Sequence, residues 1–209
     1  MPQLHAVNIA TSPRLGAWTG SVGATGIDKR PVAGPVRLFD DHVDGDLVLD
    51  RKHHGGEHKA VYAYALEDAA WWSAAIERPL APGAFGENLT TVGIDINETL
   101  IGERWRVGSV VLEVSEPRIP CRVFAGFWDR PDLIKEFNAA GRSGTYLRIV
   151  TEGIVTEGDD ITVFHRPAHR VTLGMAFSAR VGNGTPREDL TAALEYFSPK
   201  WQQWINAGN

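Results

Sequence analysis

Cys121 is the only cysteine among 209 residues, and it closes the run Glu113-Val-Ser-Glu-Pro-Arg-Ile-Pro-Cys121. A lone thiol cannot form an internal disulfide, so its meaning is packing, nucleophilic chemistry or soft-metal ligation. Pro117 and Pro120 fix the backbone on either side and Arg118 brings a cation three residues away. A rigid loop with a thiol near positive charge favours a thiolate; the alternative is a small buried hydrophobe. The densest polar run is Arg51-Lys-His-His-Gly-Gly-Glu-His-Lys59. Its histidines, His53, His54 and His58, are spaced unlike any standard zinc pattern. The pair Gly55-Gly56 lets backbone amides approach an anion, and Lys52, Lys59 and the histidines complement it, against the plainer reading of a solvated charged loop. Two further segments add polar groups. Gly26-Ile-Asp-Lys-Arg-Pro-Val32 places Lys29 beside Arg30 in a turn, and Gly83 and Gly86 frame Phe85 while presenting Glu87 and Asn88 together. Ser115 has no glycine-framed elbow around it, which argues against a serine hydrolase.

These segments are positioned by short β-rich runs punctuated by glycine and proline. The runs are 6–10, 36–39, 46–50, 61–64, 104–107, 110–114, 145–150 and 161–164, and they predict a barrel or rolled sheet. Gly108-Ser109 between two of them predicts a hairpin that delivers the chain into the cysteine turn. Helices are expected over about 67–77 and about 131–140, the second capped by Gly141. After His165-Arg-Pro167 the texture turns helical. Thr185, Pro186 and Glu188 form a capping box opening a helix to about Tyr196, Ser198-Pro199 opens a last one, and a third covers about 173–180. The expectation is thus a mainly β domain over 1–167 and three short helices over 168–209. Helices so small must pack on the β domain or on a partner, and swapped helices in a homodimer are one such arrangement.

The chain carries a formal charge of -5 and 43% hydrophobic residues, enough for a packed core. The acidic balance gives no reason to expect a nucleic-acid polymer as partner. No stretch approaches the about 18 uninterrupted apolar residues of a membrane span, and the start lacks a signal-peptide pattern, so the expected location is the cytoplasm, where a thiol stays reduced.

Thr25-Gly-Ile-Asp-Lys-Arg-Pro-Val32, His53-His-Gly-Gly-Glu-His-Lys-Ala-Val61, Phe85-Gly-Glu-Asn-Leu89 and Glu113 to Cys121, in this order, resemble the MOSC domain family, named for the C-terminal domain of molybdenum-cofactor sulfurases. The tail with Phe197-Ser-Pro-Lys-Trp201 is similar to the helical appendage of its stand-alone bacterial members of the YiiM type. The resemblance implies a MOSC-type β-barrel that binds molybdenum cofactor, with Cys121 as the metal's protein ligand. It implies Arg118, Lys29, Arg30 and Lys59 as contacts to the pterin and its phosphate, and His53, His54, Gly55, Gly56, Gly86, Glu87 and Asn88 as lining of the cleft. One departure is visible: Val48 stands where the family usually carries Gln. Similar proteins reduce N-hydroxylated compounds, including hydroxylaminopurines and amidoximes, and His54 and Glu87 are the expected proton donors. One cysteine cannot hold an iron–sulfur cluster, and no dinucleotide fingerprint follows a strand, so a separate flavin or iron–sulfur donor is expected. Two rivals stand beside this reading. One is a sulfur carrier or transferase with a persulfide on Cys121; the other is a binding module in which Trp71, Trp72, Trp201 and Trp204 serve an interface.

Overall fold

A computed structural model describes residues 1–207, the side chain of Lys52 excepted. In chain order the strands are β1 (Gln3–Ile9), β2 (Arg14–Leu15), β3 (Ala24–Thr25), β4 (Arg30–Pro31), β5 (Val36–Phe39), β6 (His42–Val43), β7 (Val61–Ala65), β8 (Leu89–Val92), β9 (Arg104–Val107), β10 (Val110–Pro117), β11 (Thr145–Thr151), β12 (Gly153–Val155) and β13 (Ile161–His165). The helices are α1 (Arg51–His54), α2 (Leu66–Ala75), α3 (Arg122–Phe127), α4 (Leu133–Ala140), α5 (Leu173–Val181) and α6 (Pro199–Asn206), with 3-10 helices over Ala17–Val22, Glu57–Lys59, Ile96–Glu98 and Arg187–Tyr196.

Eight strands form one sheet in the order β13-β9-β10-β11-β7-β8-β1-β4. Pairing is antiparallel throughout except β7 with β8, between which α2 makes the crossover. The expected hairpin is present: Val107 pairs with Val110 across Gly108-Ser109, and Gly108 takes φ 54. Of the expected barrel or rolled sheet, the barrel that the resemblance implies does not close. Among the described residues β13 and β4 share no ladder: β4 pairs with Asn8 and Ile9, and only the turn before β13 reaches Gln3 and Leu4. Asn8 and Ile9 pair with the two residues of β4, whose Pro31 has no N–H to donate, while Leu4 N donates to Asp159 O at 2.9 Å beside the single bridge Gln3–Asp160. The result is a large, incompletely closed sheet in a mixed α/β fold.

Two further expectations give way. Residues 46–50 form no strand, because the Asp46 carboxylate pins them through side-chain bonds, accepting from Ala10 N at 2.8 Å and from Asn88 Nδ2 at 2.9 Å. The capping box at Thr185 does not form either: Pro186 occupies the N-cap position and a 3-10 helix follows. Its buried residues, Leu190 and Ala193, lie three apart, which suits three residues per turn.

One apolar cluster joins sheet residues Leu4, Val61, Leu112, Val114 and Trp105 to tail residues Leu173, Leu190, Phe197 and Ile205. The tail therefore packs on its own sheet, and Leu173 N donates to Thr99 O at 2.8 Å to fix the join. A second, aromatic cluster fills the space under α2, α3 and α4, with Tyr64 stacked on Phe85 at 4.1 Å and Trp72 on Phe137 at 5.9 Å. Because Phe197 is fully buried in the shared cluster, Phe197→Ala should cost about 3–5 kcal/mol in urea unfolding and move one common transition. A tail melting separately from the sheet would contradict this packing.

Candidate functional site

Strand β10 delivers Glu116, Pro117 and Arg118 to one end of the sheet, and Pro120 then turns the chain into α3, with Cys121 at its N-cap position. Around this end lies a cleft whose walls include Gly26, Ile27, Asp46, Val48, His54, Tyr62, Gly86, Asn88, Arg118, Cys121 and Tyr146. Only glycine fits at two wall positions. A Cβ on Gly26 would lie 1.9 Å from Leu47 O, and Gly86 sits at φ +77 against Ile27. Close approach of the 25–27 turn to residues 46–48 forms this wall, and Val48, the departure from the family pattern, presents an apolar side to it.

The polar groups of the cleft differ in how far they are already satisfied. Lys29 is buried and paired with Asp46, which also holds Asn88. Burial lowers the Lys29 pKa, and the Asp46 carboxylate opposes that shift. Lys59 donates to His53 O at 2.8 Å and faces Glu116 Oε1 at 3.4 Å. Arg118 is different. It is 4% exposed, its guanidinium lies 3.9 Å from the Phe124 ring centroid, and among the described residues no carboxylate pairs with it. Its Nη1 is sealed from solvent without a hydrogen-bond partner. An aromatic face offsets only part of the cost of burying such a cation, so the position calls for an anion.

His54 faces this charge as a neutral base. Burial first, then the Arg118 and Lys59 cations, lower its pKa to about 4. Tyr62 and Tyr146 are held as phenols by burial. Cys121 is half-buried, makes no capping bond, and lies where the cleft meets a second, outer cavity also lined by His53, His54, Lys59, Glu116 and Tyr146.

The structure thus gathers Cys121, Arg118, His54, Lys59, Lys29, Gly86 and Asn88 around one cleft and sets the other expected residues apart from it. Glu87 is a buried loop anchor: its carboxylate accepts from Gly83 N at 2.6 Å, Phe85 N at 3.0 Å and Thr90 Oγ1 at 2.9 Å. Burial raises its pKa and these bonds oppose the rise, but it lines neither cavity. Arg30 lies on the outer surface, paired with Asp28 at 2.7 Å. His53 sits on Asp50 at 2.9 Å at the outer cavity. Gly55 and Gly56 shape the turn behind His54 without lining either space. Sequence reasoning missed Asp46, Tyr62, Tyr146 and Glu116. Tyr62 and Tyr146 read as core strand residues, and only their pairing across β7 and β11 places them together.

A family model described as the MOSC domain matches residues 50–162. The chain is 33% identical over 164 residues to the uncharacterized protein YflK of Bacillus subtilis, covering 78% of this chain and 74% of that one. It is 34% identical over 160 residues to a protein named "Reductase" from Gibberella moniliformis, of which it spans 28%. The structure superposes on YiiM from Geobacillus stearothermophilus with a TM-score of 0.81 at 26% identity, covering 99% of this chain and 98% of that one. The chain belongs to the MOSC domain family.

MOSC domains are associated with molybdenum cofactor, and the residues present fit that group. An anionic, sulfur-bearing cofactor would find an unpaired buried cation, aromatic walls and one soft thiol here. Replacing Arg118 by methionine should leave the cofactor-free fold as stable as before or stabilise it by about 1–4 kcal/mol, while abolishing anion binding in the cleft by calorimetry. Marked destabilisation would show the cation to be structurally compensated. For His54 the sign follows from its depressed pKa. Its neutral form favours folding fully above pH 6.5, and that contribution is lost as pH falls towards about 4. Over that interval the urea midpoint of the wild type should fall more than that of His54→Gln; parallel curves would place the imidazole in water.

Proposed function

We propose that this protein is a molybdenum-cofactor-dependent oxidoreductase. It reduces N-hydroxylated compounds such as hydroxylaminopurines and amidoximes to amines or amidines, with electrons from a separate flavin or iron–sulfur protein. The observation that carries this reading is the unpaired, buried Arg118 guanidinium in the same cleft as Cys121. The relative named as a reductase supports the reaction class.

In this reading Cys121 Sγ is the thiolate ligand, a soft donor suited to the metal. Arg118 takes an anionic group of the cofactor, while Lys29 acts through Asp46 and Asn88 to hold the wall in shape. The bound cofactor supplies two-electron redox chemistry at molybdenum. The overall reaction, R–NH–OH + 2 e⁻ + 2 H⁺ → R–NH₂ + H₂O, needs two protons. Buried Glu87, wrapped in backbone bonds, cannot deliver them into the cleft. His54, neutral near pH 7, accepts a proton at a ring nitrogen and passes it on, and Tyr146, kept protonated by burial, lines the same cleft with its phenol. Aromatic walls from Tyr62, Phe85 and Tyr146 limit water around the reacting groups.

The test is molybdenum and pterin analysis of protein made in a host that produces the cofactor, wild type beside Cys121→Ser, followed by turnover of an N-hydroxylated base. Stoichiometric cofactor in the wild type, strongly reduced in the variant, is the expected result. Wild type free of both, from a host that loads a control molybdoenzyme, would overturn the assignment. Sulfane sulfur on Cys121 would then favour the carrier reading.

A further inference from the structure

The outer cavity, about 1260 Å³ of open space, shares Cys121, His54, Lys59 and Tyr146 with the cleft. Its far wall comes from the tail: Arg180 at the end of α5, and Trp201 and Trp204 on α6. A molecule approaching Cys121 through this chamber passes between the tail and the β10–α3 turn. The chamber is larger than a bare heterocycle needs, and its aromatic sides suit a flat ring.

The charges lining it do not balance. Its two carboxylates each have one partner, Asp50 in His53 Nδ1 at 2.9 Å and Glu116 Oε1 in Lys59 at 3.4 Å, with Glu116 Oε2 buried and unbonded. Arg122 and Arg180 line the same space, and among the described residues neither has an ion pair. Arg180 is also held in place: its guanidinium lies 4.9 Å from the Trp204 ring centroid. Trp204 is itself fixed, by Arg187, which lies 5.2 Å from the ring and donates to Trp204 O at 2.9 Å, and by the edge-to-face contact with Trp201 at 5.4 Å. A guanidinium stacked on an aromatic ring keeps its N–H fork free for a phosphate or carboxylate and loses little entropy in binding it. On a chain of net charge -5, this is a local cationic wall against the overall field.

We propose that the outer chamber is the substrate subsite, and that the Arg180–Trp204 wall selects flat N-hydroxylated rings carrying an anionic group, of the nucleoside monophosphate type, over the free base. This rests on the reductase reading for the N-hydroxyl chemistry but not for the binding. The ring lies between the tail and Tyr146, its N–OH reaches towards Cys121, and the phosphate meets Arg180 and Arg122.

The probes are adenosine and adenosine 5′-monophosphate, unreactive and differing only in the phosphate, titrated by calorimetry into the full chain with and without cofactor. Beside them, kcat/KM is compared for the N6-hydroxylated nucleoside and its monophosphate with a chemical reductant. The monophosphate should bind about tenfold more tightly, the worth of one charge-assisted contact, and the gap should narrow with added salt. Arg180→Ala should remove most of the gap. Arg106→Ala, whose guanidinium lies over Phe164 on another part of the surface, should not. Equal binding of the two probes, or an Arg180→Ala variant that weakens both alike, overturns the proposal. So does a variant that loses cofactor while the gap persists, since Arg180 would then be holding the cofactor's own phosphate. A phosphate-dependent gap without any reduction would leave the subsite standing and sink the reductase reading; reduction without a gap would do the reverse.

Discussion

A guanidinium buried without a carboxylate sets the terms for this end of the fold. Arg118 follows Pro117, the last residue of β10, which pairs with Thr145 of β11, so its backbone is tied to the sheet beside the buried charge. The aromatic cluster under α2, α3 and α4 gives it a face to rest on, Phe124 above all. The neighbouring cations respond to the same field: His54 stays neutral beside it, and Lys29 and Lys59 are tied to Asp46 and Glu116. What is left is one positive charge in an aromatic cleft next to a thiol, an arrangement that costs stability unless an anion completes it.

The tail belongs to the same logic. Its helices are too short to form a core of their own, and they share the sheet's apolar cluster through Leu173, Leu190 and Phe197. That packing brings Arg180, Trp201 and Trp204 to face Cys121 across an open chamber. Burial of the tail and construction of the site's outer wall are therefore one event. The two cavities differ in character, the inner enclosed by strands and glycine-dependent turns, the outer bounded by a helix pair.

The strands around the site were legible because period-two patterns and the Gly108-Ser109 turn are local signals; β5 and β9 match their expected bounds. Where local signals misled, a long-range contact had intervened. Asp46 bonds Ala10, Lys29 and Asn88 in place of a ladder at 46–50, and Arg187's hold on Trp204 accompanies a 3-10 helix where a capping box was written. Glu87 illustrates the same limit at the site: a carboxylate beside an amide reads as chemistry, but Gly83 N and Phe85 N of its loop and Thr90 Oγ1 of β8 consume it.

By itself the sequence determined the family, the single thiol on its proline-bracketed turn, and the glycines and cations that surround it, because those depend on residue identity and short spacing. Only the tertiary structure decided which cations stay unpaired, that the sheet stops short of closing, and that Tyr62, Tyr146 and the tail's Arg180 and Trp204 share space with Cys121. Those outcomes depend on which residues, distant along the chain, compete for the same buried volume and the same hydrogen bonds, and no local pattern encodes that competition.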